Sequence, residues 1–447
     1  MTQAIAIDDV RRLIDRRDWF GLRAELEKWN PGELADLLDA LDSREQALVV
    51  RLLPRDRASN VIAQVGVHRA RRLIEGLEDR DTRRLLASLR PDDRTALLEE
   101  LPGPLTQHLL NLLPAEDLAE ARALLGYPEE SIGRVMTPDY VAVRPEWTVE
   151  EALAHIRAMA RRAETVNVVY VVDRSWRLLD ALELARFITA RPGQRVADLM
   201  DGQYVAISAF ADREEAVRLM RQSDLHALPV VDSDNTLVGI VTIDDVLDIA
   251  SEEATEDFHK VGGVAPLDTR YRDASLLQLY RKRVPWLVGL VVLNLASSTV
   301  IAAYEDVLAS TIALAFFIPL LIDSGGNTGA QSATLVVRAL ATGEFDRGGW
   351  ARAFARELAV GLALGASMAA AASVLGIFRG GPEIGLVVGI AMCLIVITAN
   401  LVGAVLPFLL SRLRLDPAVA SSPLITTVAD VAGLAIYFTT AAVILGV

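Results

Sequence analysis

Carboxylates at two places in this chain are set for work on cations. One is Asp430, the only charged residue in the run 423–447. A carboxylate at the centre of a membrane helix costs about 2.5–3.5 kcal/mol, so it needs a partner or a water-filled cavity. The five histidines, at 68, 108, 155, 226 and 259, and the three lysines, at 28, 260 and 282, all lie outside the long apolar runs. A cation is then the simplest counter-charge, the alternative being a protonated Asp430 hydrogen-bonded between helices. The segment 319–332 offers oxygen chemistry to match, with Asp323, Gly325, Gly326 and Asn327. Glycines there predict a kink whose freed carbonyls join Asn327 and Asp430 around a divalent ion, an arrangement lipid tolerates only beside a cavity. The second place is 251–257, where Glu252/Glu256 and Glu253/Asp257 stand four apart. Like charges at that spacing disfavour an isolated helix by a few tenths of a kcal/mol per pair. A divalent ion would reverse the sign, whereas a solvated acidic face is the plainer reading of a lone charge run.

The elements that must position these groups begin with the apolar runs. Of 447 residues 52% are hydrophobic, and the mean hydropathy of +0.31 places part of the chain in lipid. Runs at 285–303, 308–337, 358–377, 384–410 and 423–447 each approach or exceed the ~20 residues a spanning helix needs, which predicts five spans. Arg281, Lys282, Arg283, Arg338, Arg347, Arg352, Arg356, Arg412 and Arg414 fall on one side and Arg379 on the other, so the N-terminus is expected inside and the C-terminus outside. Gly361 and Gly365 form a small face suited to helix packing. The net charge of −14 resides almost wholly before the first apolar run. That balance excludes nucleic acid as a partner, since phosphate contacts need clustered Lys and Arg. The single cysteine, Cys393, sits in an apolar run and supports neither a disulfide framework nor a thiolate metal site. Asp8 and Asp9 stand where a signal peptide would have its apolar core, so the soluble part is expected in the cytoplasm.

Residues 1–130 read as short amphipathic helices punctuated by Pro54, Pro102 and Pro114, with Asp92, Asp93 and Asp117 near helix starts. Residues 134–250 contain a duplication: Met136, Tyr140, Val141 and Glu150-Glu151-Ala152 recur as Met200, Tyr204, Val205 and Glu214-Glu215-Ala216. Each copy predicts a βαββα unit with a strand ending in Val-Val-Asp, at Asp173 and at Asp232. The pair, 134–190 and 198–250, resembles tandem CBS domains, with the fuller signature at Gly239-Ile240-Val241-Thr242-Ile243-Asp244-Asp245. The first copy reads Asp180 to Arg186 as DALELAR, which argues against an intact ATP site shared by the two copies. Residues 251–280 are expected to continue as a connecting helix toward Arg281.

The run from Gly325 to Thr334, the segment Asn400 to Phe408, and Asp416-Pro417 followed by Pro423 and Asp430 are similar to the MgtE family of magnesium channels. The resemblance covers the whole chain. It implies a multidomain membrane protein of the bacterial inner membrane: an all-α N-terminal domain, an α/β tandem CBS pair, a connecting helix and a five-helix transmembrane domain (281–447). It further implies a homodimer whose second and fifth spans line a Mg2+ pore, with Asp430, Asn327, Gly325 and Gly326 as the lining. Asp212, Glu214, Asp245, Glu253, Glu256, Asp257 and Asp416 match acids through which cytoplasmic Mg2+ shuts the channel. Asp323 and Ser422 depart from the family pattern, and Asn60 and Arg80 stand where relatives can carry acids, which predicts a smaller part for the N domain in closure. The nearest rival is a secondary transporter coupled to H+ or Na+. No lysine lies in a GxxxxGK[ST] loop, which disfavours an ATP-driven pump. Nothing in the pattern calls for an enzyme.

Overall fold

A computed structural model describes residues 2–54, 57–58, 61, 73–74, 77–99, 101–267, 271, 274–342, 344, 349–413 and 415–446. Asn60, Arg347 and Arg414, named above, lie outside the described residues. The chain divides into two compact units, Met1–Ala250 and Ser251–Val447.

The first unit begins with short helices that no single one of them could stabilise in water, since isolated helices of this length are marginal. They hold together through one leucine-rich core that includes Leu22, Leu34, Leu38, Leu86, Leu98 and Leu109. Local signals set their ends. Asn30 accepts from the Glu33 amide at 2.9 Å and Glu33 accepts from the Asn30 amide at 2.9 Å, a reciprocal cap on Pro31–Ala40.

The duplication folds as expected, each copy giving βαββα. Strands β1 (Ala142–Val143), β2 (Val168–Val172) and β3 (Leu178–Glu183) form one sheet, with β1 parallel and β3 antiparallel to β2. β4 (Ile207–Ser208), β5 (Ala227–Val231) and β6 (Leu237–Thr242) repeat that order. Both central strands carry an irregularity at the same place, between Val171 and Val172 and between Val230 and Val231. The copies are tied reciprocally: the Tyr140 hydroxyl donates to the Leu237 carbonyl at 2.8 Å, and that of its repeat mate Tyr204 donates to the Leu178 carbonyl at 3.2 Å. Tyr170, Val172 and Leu178 of one copy share a core with Val231, Leu237 and Ile240 of the other.

A 19-residue helix, Ile243–Val261, follows β6. The sequence reading continued it toward Arg281, but it stops at Val261, where Gly262 and Gly263 follow and Gly263 takes φ +69°. Glycine supplies the left-handed residue that ends many helices.

The second unit is built of apolar helices. Leu276–Ala303 starts well before Pro285, because Ser275 caps it, accepting from the Gln278 amide. After a short helix (Glu305–Ser310) and a 3-10 turn (Ile312–Phe317), the next helix runs from Ile318 to Ala341. The third spans Gly349–Arg412 and the last Ser422–Leu445. Among the described residues four helices, not the expected five, are long and apolar enough to cross a membrane. The third carries both runs read as separate spans, and its backbone leaves helical geometry at Gly381 (φ 86°, ψ 179°), a conformation suited to glycine. From that point its halves lie antiparallel. Gly376 faces Gly385, the Ser373 hydroxyl donates to the Gly385 carbonyl at 3.0 Å, Gly365 faces Cys393 and Gly361 faces Asn400. Leu314, Leu321, Val388, Ile395, Tyr437 and Phe438 form the core where these helices meet.

Candidate functional site

Helix Ile318–Ala341 buries one side and exposes the other. Ser324, Gly325, Gly326, Thr328, Gly329 and Ser332 are buried, whereas Asp323, Asn327, Gln331, Thr334 and Arg338 are exposed. The exposed positions step by three or four residues, so they form one polar stripe along the helix.

The kink predicted at Gly325–Gly326 is absent: the helix is unbroken, so those carbonyls remain in its ladder. The glycines bring helices together instead. A Cβ on Gly325 would meet Ile395 at 2.7 Å, one on Gly326 would meet Thr426 at 2.8 Å, and one on Gly329 would meet Ile425 at 2.8 Å and the Ala399 carbonyl oxygen at 3.0 Å. The Thr328 hydroxyl is turned back to the Ser324 carbonyl at 2.8 Å, the local bond that lets a hydroxyl be buried without an orphaned donor.

Asp430 lies on Ser422–Leu445, half-buried, and its Oδ1 has no hydrogen-bond partner. The charged side chain acting on it is Asp323, which in turn accepts from Asn327 Nδ2 at 3.2 Å. Two carboxylates and an amide from two helices are thus brought into one electrostatic neighbourhood. Among the described residues no three His, Cys, Asp or Glu form a metal-ligand group. A hydrated Mg2+, which sheds water reluctantly, requires no more than a few such oxygens.

A second polar centre of the apolar unit was not anticipated. Glu357 Oε2 accepts from the Ser332 hydroxyl at 3.0 Å and from Asn400 Nδ2 at 2.9 Å, and Asn400 Nδ2 also donates to the Glu357 carbonyl at 2.8 Å. Asn400 is only 2% exposed. Glu357 was passed over because it stands just ahead of the run 358–377.

Of the acids read as a sensor, Glu256, Asp257 and Asp416 come together in the second unit. Asp416 Oδ1 caps the turn Pro417–Val419 by accepting from the Ala418 amide at 2.8 Å, and its Oδ2 takes Lys260 Nζ at 2.5 Å. Lys260 also pairs with Glu256. Burial and the repulsion of Asp416 hold the Asp257 carboxyl above its ordinary range. Glu253 stands on the same helix. Lys260, counted in the sequence only as a cation outside the spans, is thus a member of this centre.

In the first unit Asp245 accepts from the Thr242 hydroxyl at 2.7 Å, and burial, with Asp244 and Asp93 nearby, pushes it up to about 6. Glu164 is pushed up to about 6 by burial, against the pull of Arg90. Asp92, 8% exposed, is driven well above the carboxylate range by burial and then by Asp245, and its Oδ1 has no partner. Asp92 and Asp93 start the helix Pro91–Glu99, as their spacing predicts, and they also bring the N-terminal helices to Asp245. Asp212 has a local duty, capping Arg213–Ser223 by accepting from the Glu214 amide at 2.9 Å. Arg80 lies on the helix Asp79–Leu86.

Comparison with known proteins places these observations. Family models match residues 29–130 (MgtE intracellular N domain), 132–190 and 196–252 (CBS domain) and 318–440 (MgtE, divalent cation transporter). The magnesium transporter MgtE of Thermus thermophilus is 41% identical over 100% of this chain and 99% of its own. That of Bacillus subtilis is 32% identical over 93% of this chain and 92% of its own. The crystal structure of the cytosolic domain of the Mg2+ channel MgtE in complex with ATP, 37% identical, superposes with a TM-score of 0.53 over 54% of this chain and 99% of that one. These relatives are named as transporters, in keeping with the reading of a cation pathway rather than an enzyme. Matched along its whole length in the family's domain order, the chain belongs to the MgtE family of magnesium transporters.

Proposed function

We propose that two copies of this chain form a Mg2+-selective channel in the bacterial inner membrane, admitting Mg2+ down its electrochemical gradient and shut by cytoplasmic Mg2+. The observation that carries the pore is the exposed polar stripe Asp323, Asn327, Gln331, Thr334 and Arg338 on a helix long and apolar enough to cross a membrane, beside an Asp430 oxygen with no partner. Lipid cannot satisfy such groups; a water-filled pathway between two copies does. Asp430 and Asn327 hold the hydrated ion there, and Gly325 and Gly326, expected in the lining, serve it from the buried side of the helix by letting the neighbouring helices close in. Counted as two spans, the arms on either side of the break at Gly381 support a total of five, with the N-terminus inside and the C-terminus outside.

Closure rests on Asp212, Glu214, Asp245, Glu253, Glu256, Asp257 and Asp416 as carboxylates that lose mutual repulsion when Mg2+ binds. Asp257 and Asp245, both raised by burial with neighbouring acids adding to the shift, support this most directly. ATP would find a poorer site than in the relative's cytosolic domain. Here Asp180 is fully buried and takes the Ala181, Asp201 and Gly202 amides at 2.8, 2.9 and 3.0 Å, and Ala185 and Arg186 follow it.

Uptake of Mg2+ into liposomes holding the purified protein tests the reading. Uptake should proceed without a H+ or Na+ gradient and vanish in Asp430→Ala while that variant still elutes as a dimer. Uptake that requires either gradient would make the protein a coupled transporter, and undiminished uptake by Asp430→Ala would remove that carboxylate from the pathway.

A further inference from the structure

We propose that Asp323 is a positioning and selectivity residue of the pore, orienting Asn327 and supplying a second carboxylate opposite Asp430. The inference rests on the pore reading above and deepens it. An ionised carboxylate only accepts hydrogen bonds. The 3.2 Å bond from Asn327 Nδ2 to Asp323 Oδ2 therefore fixes which end of the Asn327 amide faces down the helix. The amide oxygen is left as an acceptor for whatever occupies the exposed side of the stripe. A cation's inner waters present only hydrogens outward, so acceptors are what a hydrated ion needs. Without Asp323 the amide is free to flip and offer its NH2 group, which repels such waters.

The charge matters in its own right. Asp323 is exposed on a membrane helix and is the charged group that acts on Asp430. Two carboxylates facing one space raise each other's cost unless a cation lies between them. A divalent ion gains twice what a monovalent ion gains in the same field, so the pair favours Mg2+ over Na+ or K+. Two copies of the chain bring four carboxylates to the shared pathway. Asn327 and Asp430 alone would place two charges there and leave the amide unoriented.

The test uses the full-length protein in liposomes, with Mg2+ and Na+ fluxes measured separately over a range of concentrations. Asp323→Asn should raise the Mg2+ concentration for half-maximal flux about tenfold, leave the maximal flux within about twofold, and lower the Mg2+/Na+ flux ratio. Asp323→Glu should restore most of both. Because Asp323 acts partly through Asn327, the shift in the Asp323→Asn/Asn327→Ala double variant should fall well short of the two single shifts combined. Half-saturation and flux ratio unchanged in Asp323→Asn, with Asp430→Ala still abolishing uptake, would overturn the role of Asp323 and leave the pore standing. Undiminished uptake in Asp430→Ala would instead bring down the pore reading itself. Additive shifts in the double variant would overturn the positioning role.

Discussion

Gly329 sits where three helices meet, and replacing it by alanine should cost stability although alanine is the better helix former. The new methyl carbon would stand 2.8 Å from Ile425 Cγ2 and 3.0 Å from the Ala399 carbonyl oxygen. Ile425 is fully buried and the Ala399 oxygen is backbone, so neither neighbour swings away. The helices must part by roughly half an ångström, and such overpacking costs about 1–3 kcal/mol. Helix propensity returns close to 1 kcal/mol, leaving a net loss of up to about 2 kcal/mol. Gly433 is the control. There the added carbon would meet only Ile395 side-chain atoms at 3.5–3.8 Å, so Gly433→Ala should be neutral or gain up to about 1 kcal/mol. At about 2–4 °C per kcal/mol for a body of this size, Gly329→Ala should melt up to about 8 °C lower than the unmodified protein and Gly433→Ala no lower than it. Thermal unfolding of detergent-purified protein, followed by tryptophan fluorescence, reads both. Equal shifts in the two variants, or a Gly329→Ala that melts higher, would refute the close approach on which this reasoning depends.

Asn400→Leu should cost about 2–3 kcal/mol, because it leaves the Glu357 carboxylate short of its donor inside the apolar unit, and the same melting assay measures it. Neutralising Glu253, Glu256 and Asp257 together should keep the channel conducting at cytoplasmic Mg2+ that closes the unmodified protein; unchanged closure in a flux titration would discard those acids as the sensor. Asp245 and Glu164, both raised to about 6, give stability a definite pH dependence. Below the ordinary carboxylate range both are protonated folded or unfolded and cost nothing. As pH rises from about 4 through 6 the unfolded chain ionises more readily, so the folded state loses on the order of a few kcal/mol from the two groups together, less what solvent screens at the partly exposed Glu164. Melting temperature in chelator should fall over that window, and added Mg2+ should flatten the fall.

How much of this was legible in the sequence depends on the range of each signal. The duplication could be read because Tyr140 and Tyr204 recur with their surroundings whatever they pack against, and Asp430 because one charge in an apolar run is conspicuous. Asp323 was visible as an acid in a run, but its partners depend on helix rotation, which hydropathy does not carry. Asp92 and Asp245 are 153 positions apart in the chain. Their meeting follows from the stacking of the N-terminal helices on the CBS pair, and nothing local to Asp92 announces it. The charges Arg281, Lys282 and Arg283 hid the true start of the first long helix at Leu276, since a hydropathy window stops where a capped helix need not. Gly325-Gly326 was misread as a kink for a related reason: glycine weakens a helix in water, yet between packed helices it is the residue that lets them touch.

The tight reversal at Gly381 bears on how the protein is made. Two apolar lengths joined through a single non-helical residue each satisfy their backbone within their own helix and bury small side chains between them. In the topology proposed above, such a pair would enter lipid as one hairpin rather than as two independent helices. Arg352 and Arg356 on one arm and Arg412 on the other all lie at the end away from Gly381. In that topology they would hold both arms on the same side of the membrane.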